Sequence, residues 1–287
     1  MIKAQIVLDS IGHHGIRLTT MALEYPRYIH AELMTHRQFS RNASSSRAIP
    51  VSKMIEKAKS EMVIPDYWGK NQKGMQASEQ LDHGLRIEAT RVWVAQAESA
   101  IKAAADLSNL GVHKQIANRV LEPFTTITVL VTGTKDAYSN FFALRNHKDA
   151  QPEIKGLAEV MLNAYKASIP GILSVGDWHM PYITLEDTQS LVDLDYGSLL
   201  EILLKVSAAR CARVSYLTHD KKSPDMVQDL DLYAKLVGGK PIHASPLEHQ
   251  AELMSSASYQ SANFKGWKQY RQTMPNQYIT DYFEQAE

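Results

Sequence analysis

A chain of 287 residues with 44% hydrophobic and 22% charged content has the apolar material for a full globular core and lies far from disordered or fibrous compositions. Its 31 basic and 31 acidic residues cancel, so no global field draws it to nucleic acid or a membrane surface, and any anion site has to come from local clustering. The single Cys211 excludes an internal disulfide framework and a thiolate zinc cage; together with an opening, MIKAQIVLDSIG, that has no signal-peptide pattern and the lack of any apolar run of about 18 residues, this sets the expectation of a soluble, cytoplasmic chain with no membrane partner.

Residues 3–9 and 17–25 alternate partially between apolar and polar and are rich in β-branched and aliphatic side chains; HHG at 13–15 separates them, which predicts a hairpin. Pro26 opens an apolar-periodic segment through Ile29 and Leu33 that predicts a helix running into the polar loop after Arg37. The Ala-, Glu-, Gln- and Leu-rich stretch 78–109 predicts one long helix, and residues 112–121 a second that ends before Pro123. FTTITVLVT at 124–132 is the strongest strand signal, with Gly133 expected as the turn after it. Helices are expected at 135–143, 150–167, 196–214 and 226–238, with Pro170 and Gly171 as a break and 176–184 as an ordered loop; the loop GGKPIHASPLEH and a polar, aromatic tail follow.

Residues 35–47, THRQFSRNASSSR, gather hydroxyls, amides and fixed cations at the end of an apolar helix. Hydroxyls, backbone N–H groups of a Ser-rich turn and Arg forks are groups that hold phosphate oxygens, although a solvated serine loop, a phosphorylation site or a nucleic-acid contact would use the same residues. The spacing is similar to the signature R-H-R-x-x-S-x-N-x-x-S-x-R of the flavin-dependent (ThyX) thymidylate synthases, with His36, Arg37, Ser40, Asn42, Ser45 and Arg47 in register, Thr35 at the first Arg and Ala43 where a Glu is usual. Residues 132–158 resemble the same family's strand, turn and helix F-x-x-x-R-x-x-x-H-A-x-x-E-I-R through Phe141, Arg145, Ala150, Glu153 and Ile154; Asp149 replaces the His and Lys155 the last Arg. Upstream, NRVLEP at 118–123 resembles the entry to that strand, in which Thr128 replaces a nucleotide-binding Arg. A third block, AARCARVSY at 208–216, a helix with LDLYAKLV and HASPLEH at 243–249, resembles the opening of an ordinary family member, but here it follows the serine motif instead of preceding it.

That order implies circular permutation: one catalytic domain over 1–287, with the serine motif and second half in 1–164, a joining segment at 165–205, and the equivalent of the family's N-terminal block at 206–264. The resemblance implies an α+β fold with helices packed on a mixed or antiparallel sheet, and a homotetramer whose active sites use several subunits. It also implies that a one-carbon unit from methylenetetrahydrofolate reaches carbon 5 of dUMP, with FAD as cofactor, NADPH as hydride donor and no cysteine nucleophile. By the same resemblance His36, Arg37, Gln38, Asn42, Arg145, Ser245 and Glu248 lie by the flavin. Glu32, Thr35, Ser45, Ser46, Arg47 and Lys155 lie by the nucleotide, and Lys155, Arg47 and Ser45 are the catalytic candidates. Hydroxymethylation, action on dCMP, and non-catalytic nucleotide or nucleic-acid binding stand as alternatives. No metal site is expected from His13 and His14 or from His243 and His249, and Cys211 reads as a small core residue. No G-x-G-x-x-G or P-loop pattern occurs.

Overall fold

The protein is described by a computed structural model covering residues 2–215 and 225–278. Tyr216, the last residue of the AARCARVSY motif, lies outside the described residues.

β1 (Lys3–Gly12) and β2 (Arg17–Pro26) form the expected antiparallel hairpin, from Lys3↔Glu24 to Ile11↔Arg17, with an irregularity between Ile6 and Leu8. Gly15 closes its turn at φ 74°, a left-handed conformation that glycine adopts without steric cost. β4 (Thr126–Thr134) pairs with β2 along its whole length, from Leu18↔Thr134 to Pro26↔Thr126, and is almost wholly buried, as its near-continuous apolar and threonine run requires. On its other edge lies β3 (Ser40–Ala43), paired from Ser40↔Thr132 to Ala43↔Val129, and β5 (Gly171–Leu173) adds in parallel to β1. The sheet order is β3-β4-β2-β1-β5.

Two sequence expectations change here. Ser40–Ala43 is a strand, not loop: a short polar stretch carries no strand signal of its own, and its pairing is imposed by the exposed edge of β4. Gly133 lies inside β4, where a Cβ would come within 2.7 Å of the Phe39 ring and 3.0 Å of Ala137; glycine is needed for close approach, not for a turn.

One face of the sheet carries α5 (Lys135–Arg145) and α6 (Pro152–Ala167), packed through Phe141, Ile154, Leu157 and Met161 on Met21, Leu23, Val129 and Val131. The opposite face meets α8 (Tyr196–Ala212), where Leu130 and Ala22 pack with Cys211 and Val214. Before Leu33 the chain forms a 3-10 turn at Arg27–Ile29 and only then α1 (His30–Met34), shorter than the expected helix. α2 (Val51–Ser60), unanticipated, buries only Met54 and Ala58 at i, i+4 spacing and packs on α3 (His83–Asn109), whose Asp82 side chain caps Leu85 N at 3.0 Å and starts the helix later than residue 78. α4 (Lys114–Ala117) gives way to a 3-10 segment, Asn118–Phe124, that includes Pro123.

The remainder builds a wall against the α8 side of the sheet. α7 (Leu185–Gln189) and α9 (Met226–Val237) are tied to α8 by the buried Arg210, which donates from Nη1 to Asp187 at 2.6 Å and from Nε to Asp229 at 2.8 Å, while Arg213 adds a second contact to Asp229 at 2.7 Å. The expected loop 176–184 contains β6 (Trp178–His179), which pairs with β7 (Ala251–Leu253), itself paired with β10 (Trp267–Gln269); β8 (Gln260–Ser261) and β9 (Phe264–Lys265) form a small hairpin beside them. The polar, aromatic stretch after residue 249 thus contains strands, with Trp267 fully buried. Among the described residues no helix is long and apolar enough to cross a membrane.

Candidate functional site

His36 sits at the turn between α1 and β3 and is buried, edge-on to Phe141 with ring centroids 4.8 Å apart. Arg145, at the end of α5, donates from Nε to His36 Nε2 at 2.8 Å. An Nε2 that accepts leaves the ring proton on Nδ1, so this imidazole is neutral; burial first, then the Arg145 and Arg41 guanidiniums, lower its pKa to about 4. Arg145 also reaches Thr35 Oγ1 at 3.3 Å and stands 3.9 Å from Glu32, whose carboxyl is raised mainly by burial and lowered again by Arg145. Arg37 and Gln38 are exposed and, with Thr35, Asn140 and Arg145, line a small cavity of about 150 Å3.

Asn42, in β3, donates from Nδ2 to the Cys211 carbonyl at 2.6 Å and accepts a long contact from Ser245 Oγ at 3.5 Å, so residues about two hundred positions apart share one wall. On that wall lies a larger cavity of about 510 Å3, lined by Asn42, Ser45, Arg47, Lys114, Gln115 and His243 among others. Ser45 Oγ accepts from the Arg47 backbone N at 3.3 Å, a local turn that leaves the Arg47 side chain exposed. Ser46 points the other way: it is buried, donates to Glu122 at 2.6 Å, and its carbonyl accepts from Asn118 at 2.7 Å. Glu248 is held by the Arg271 guanidinium, and its carbonyl accepts from Gln269 Nε2 at 3.3 Å. Lys155 stands apart on α6, half-exposed and 3.8 Å from Glu159, and lines neither cavity within one chain.

Several residues that organise this region escape sequence reasoning. Arg41 ties the serine segment to α1 through the carbonyls of Met34 at 2.7 Å and His36 at 3.1 Å. Lys114 is anchored on the Ala48 carbonyl at 3.0 Å. Beneath the Ser245–His249 segment runs a buried polar chain: Ser10 Oγ to His179 Nδ1 at 2.8 Å, His179 Nε2 to Thr20 Oγ1 at 2.8 Å, Thr20 to Thr132 at 2.7 Å, and Thr132 to His249 Nδ1 at 2.8 Å. Its available signal is weak, since Thr20 and Thr132 stand on strands that carry other threonines as well.

The direction of that chain follows from hydrogen-bond satisfaction. With donation running from Ser10 toward His249, every donor finds an acceptor except the His249 Nε2–H. The reverse direction leaves both the Ser10 hydroxyl proton and the His249 Nε2 lone pair without partners among the described residues, and an unpaired buried group is the costlier outcome. Both imidazoles are then neutral Nε2–H tautomers, and burial lowers each pKa to about 3.

The histidines weighed as a metal pair at the N-terminal turn instead anchor it: His13 contacts the Ser255 carbonyl at 3.3 Å and His14 the Gly266 carbonyl at 3.2 Å. Cys211 is fully buried, receives Gln250 Nε2 at 3.4 Å, and burial pushes its thiol pKa well up, which holds the sulfur protonated.

No curated protein matches the sequence. Among solved structures the fold is similar to a UMP/dUMP methylase, PolB, from Streptomyces cacaoi, bound with 5-Br dUMP (20% identity, 57% of this chain and 90% of that one, TM-score 0.49) and with 5-Br UMP (20% identity, 57% and 88%, TM-score 0.47). The family model described as thymidylate synthase complementing protein matches residues 16–171, which span β2 through α6 and include the serine motif, His36 and Arg145. Since that match takes in more than half of the 287 residues, the chain belongs to the thymidylate synthase complementing protein, or ThyX, family.

Proposed function

We propose that this chain is a flavin-dependent thymidylate synthase, which transfers a one-carbon unit from methylenetetrahydrofolate to carbon 5 of dUMP with NADPH as hydride donor. The observation that carries the reading is the Arg145–His36 contact at 2.8 Å, which joins two residues that the resemblance places by the flavin; Ser245 and Asn42, placed there likewise, meet at 3.5 Å. The donor set fits a flavin nucleotide: Arg37, Gln38, Asn140 and Arg145 offer cationic and amide N–H groups to phosphate and ring carbonyl oxygens, and the His36 ring is fixed in one tautomer. FAD, when bound, would supply the reducing equivalents for the methyl group. Arg145 and Arg37 would hold it, and Glu248, oriented by Arg271, would face it from the Ser245 side. Ser45 and Arg47 would bind the nucleotide phosphate. The buried, protonated Cys211 is unsuited to attack a pyrimidine ring, in keeping with chemistry that has no thiolate nucleophile.

In this reading residues 206–264 are the family's opening block placed last, 165–205 is the joining segment, and 1–287 is one permuted catalytic domain. Lys155 would favour the N3-deprotonated pyrimidine from a neighbouring subunit of a homotetramer, since within its own chain it faces Glu159. That pairing, with threonine at positions 35 and 128, favours a second reading: hydroxymethylation, or action on dCMP. The absorption spectrum of the purified protein and the product masses from dUMP and dCMP separate these. A yellow protein that adds one methyl mass to dUMP is expected; a colourless protein that resists FAD reconstitution points to a non-catalytic binder. Arg145→Ala should weaken FAD binding by at least tenfold, the scale of one charge-assisted contact of about 1.5–3 kcal/mol.

A further inference from the structure

The turn between β8 and β9 reaches back to the serine motif across more than two hundred positions of sequence. Its first residue, Ala262, stands at φ 51°, a left-handed conformation that an L side chain rarely adopts, and Gln260 Nε2 holds it by donating to the Ala262 carbonyl at 2.8 Å. The second, Asn263, is aimed at the segment between His36 and β3: its Nδ2 donates to the Gln38 carbonyl at 2.9 Å and to Ser40 Oγ at 3.1 Å. Its Oδ1 accepts from Gln269 Nε2 at 3.0 Å and, at 3.4 Å, from the Ser40 hydroxyl. Gln269, in β10 and only 1% exposed, also donates from Nε2 to Ser40 Oγ at 3.1 Å and to the Glu248 carbonyl at 3.3 Å. Ser40, Asn263 and Gln269 thus close a ring of three side chains whose two outward bonds end on the backbones of Gln38 and Glu248. Those ends fix both amides, because turning either one over would set its oxygen against a carbonyl oxygen. The Gln269 backbone N–H donates to Ser261 Oγ at 3.0 Å, so the hairpin and β10 carry the ring as one unit. Residues 260–269 lie outside both the stretch 16–171 that the family model matches and the HASPLEH motif, yet they join the flavin-side candidates Gln38 and Glu248.

We propose that Asn263 and Gln269 are positioning residues of the flavin site: they set the spacing between the Gln38 and Glu248 backbones, and so between the two sides from which the cofactor would be held. The inference rests on the flavin reading above and has neither residue touch the cofactor. Asn263→Asp keeps the size of the side chain and its acceptor toward Gln269 but removes both donors, while Asn263→Ala removes the whole link. Measured on the full chain by quenching of flavin fluorescence, at a temperature where each variant is folded, both should bind FAD roughly five- to tenfold more weakly than the wild type, the scale of one or two neutral hydrogen bonds. The deficit of Asn263→Asp relative to the wild type should narrow as the pH falls from about 7 to about 5, since a carboxyl facing a carbonyl oxygen titrates above its ordinary value of about 3.9 and regains one donor when protonated. A merely structural role would lower the melting temperature and leave both readouts unmoved. Should Asn263→Ala fail to fold, Asn263→Asp and its pH dependence still decide. Wild-type affinity in the folded variants, or a deficit in Asn263→Asp that stays flat with pH, overturns the inference and leaves the flavin reading standing; a wild type that cannot be loaded with FAD overturns both.

Discussion

Thr132→Val tests whether the buried chain from Ser10 to His249 holds the wall of the site. Valine has the shape of threonine, suits a strand and lacks the hydroxyl, so packing is retained while two contacts are removed: 2.7 Å to Thr20 and 2.8 Å to His249. The hydroxyl is fully buried, so no solvent replaces it, and two groups are orphaned, the Thr20 O–H and His249 Nδ1. At about 1–3 kcal/mol for each buried unsatisfied group the ceiling is roughly 6 kcal/mol; because the Thr20 hydroxyl can rotate and valine gains apolar burial, about 2–3 kcal/mol is expected. That is a large share of the roughly 5–15 kcal/mol by which domains are stable. Urea titration gives the value, and the Thr20→Val, Thr132→Val double variant supplies the internal check. Once Thr132 is valine, removing the Thr20 hydroxyl abolishes an orphan, so the double change should cost at least about 1 kcal/mol less than the sum of the two singles. A single-variant loss below about 0.5 kcal/mol, or strict additivity, would refute the argument, as would nitrogen NMR showing His249 protonated at Nδ1 in the wild type.

Acid should unfold the protein through the same histidines. Their folded pKa values near 3 lie below the unfolded value, so their contribution is complete above about pH 6.5 and falls as the pH drops toward 3, by about 1.4 kcal/mol per pH unit for each ring; denaturant midpoints between pH 7 and 5 measure it, and a flat profile contradicts the buried neutral state. Below about pH 4, protonation of Asp187, which Arg210 holds down to about 2, should steepen the loss. Gly133→Ala should destabilise by about 1–3 kcal/mol because its Cβ meets the buried Phe39 ring at 2.7 Å, whereas Gly156→Ala on α6, whose Cβ meets only Ile2 at 3.4 Å, should be neutral or stabilising by up to about 1 kcal/mol; equal effects in thermal denaturation would discount the close-approach role. Lys155→Ala should depress turnover roughly a hundredfold while leaving FAD binding intact, and Lys155→Arg should retain activity on dUMP; wild-type steady-state rates from Lys155→Ala would reduce it to a solvated partner of Glu159.

What could be read from the sequence was what local periodicity encodes. The β1–β2 hairpin, the run of β4 and the bodies of α3, α5, α6, α8 and α9 follow from alternation, propensity and caps acting within a few residues. Elements whose state is decided by a partner were not legible. β3 is a polar stretch that becomes a strand because β4 offers an edge, and β6 and β7 are too short to show alternation before they find each other. Gly133 misled because glycine marks a turn and a close backbone approach with the same letter. In the candidate site, His36 and Arg145 were singled out separately through the resemblance, and the fold brings them into contact. Arg41, Arg271 and the chain through His179 were missed, since their partners lie on other elements and no spacing rule links, for instance, Thr20, Thr132, His179 and His249.

One rung of the sheet carries most of this coupling. Thr132 faces α8 with Leu130, on the side of β4 opposite to Val129 and Val131, and it is in register with Ser40 on one edge and Thr20 on the other. The Ser40 hydroxyl meets Gln269 Nε2 at 3.1 Å, which also donates to the Glu248 carbonyl; Thr132 meets His249 directly. The Ser245–His249 segment is therefore held from two neighbouring strands at the same level. The Arg145–His36 contact rests on the other face, against Phe141 and the α5–α6 layer. The two halves of the candidate site thus draw on opposite sides of one strand, and a change confined to the Thr20–Thr132 rung removes the contact to His249 while leaving the Arg145–His36 contact intact. That separation gives the site a physical division of labour: contacts made by Arg145 should survive rung variants, and whatever depends on the position of His249 should not.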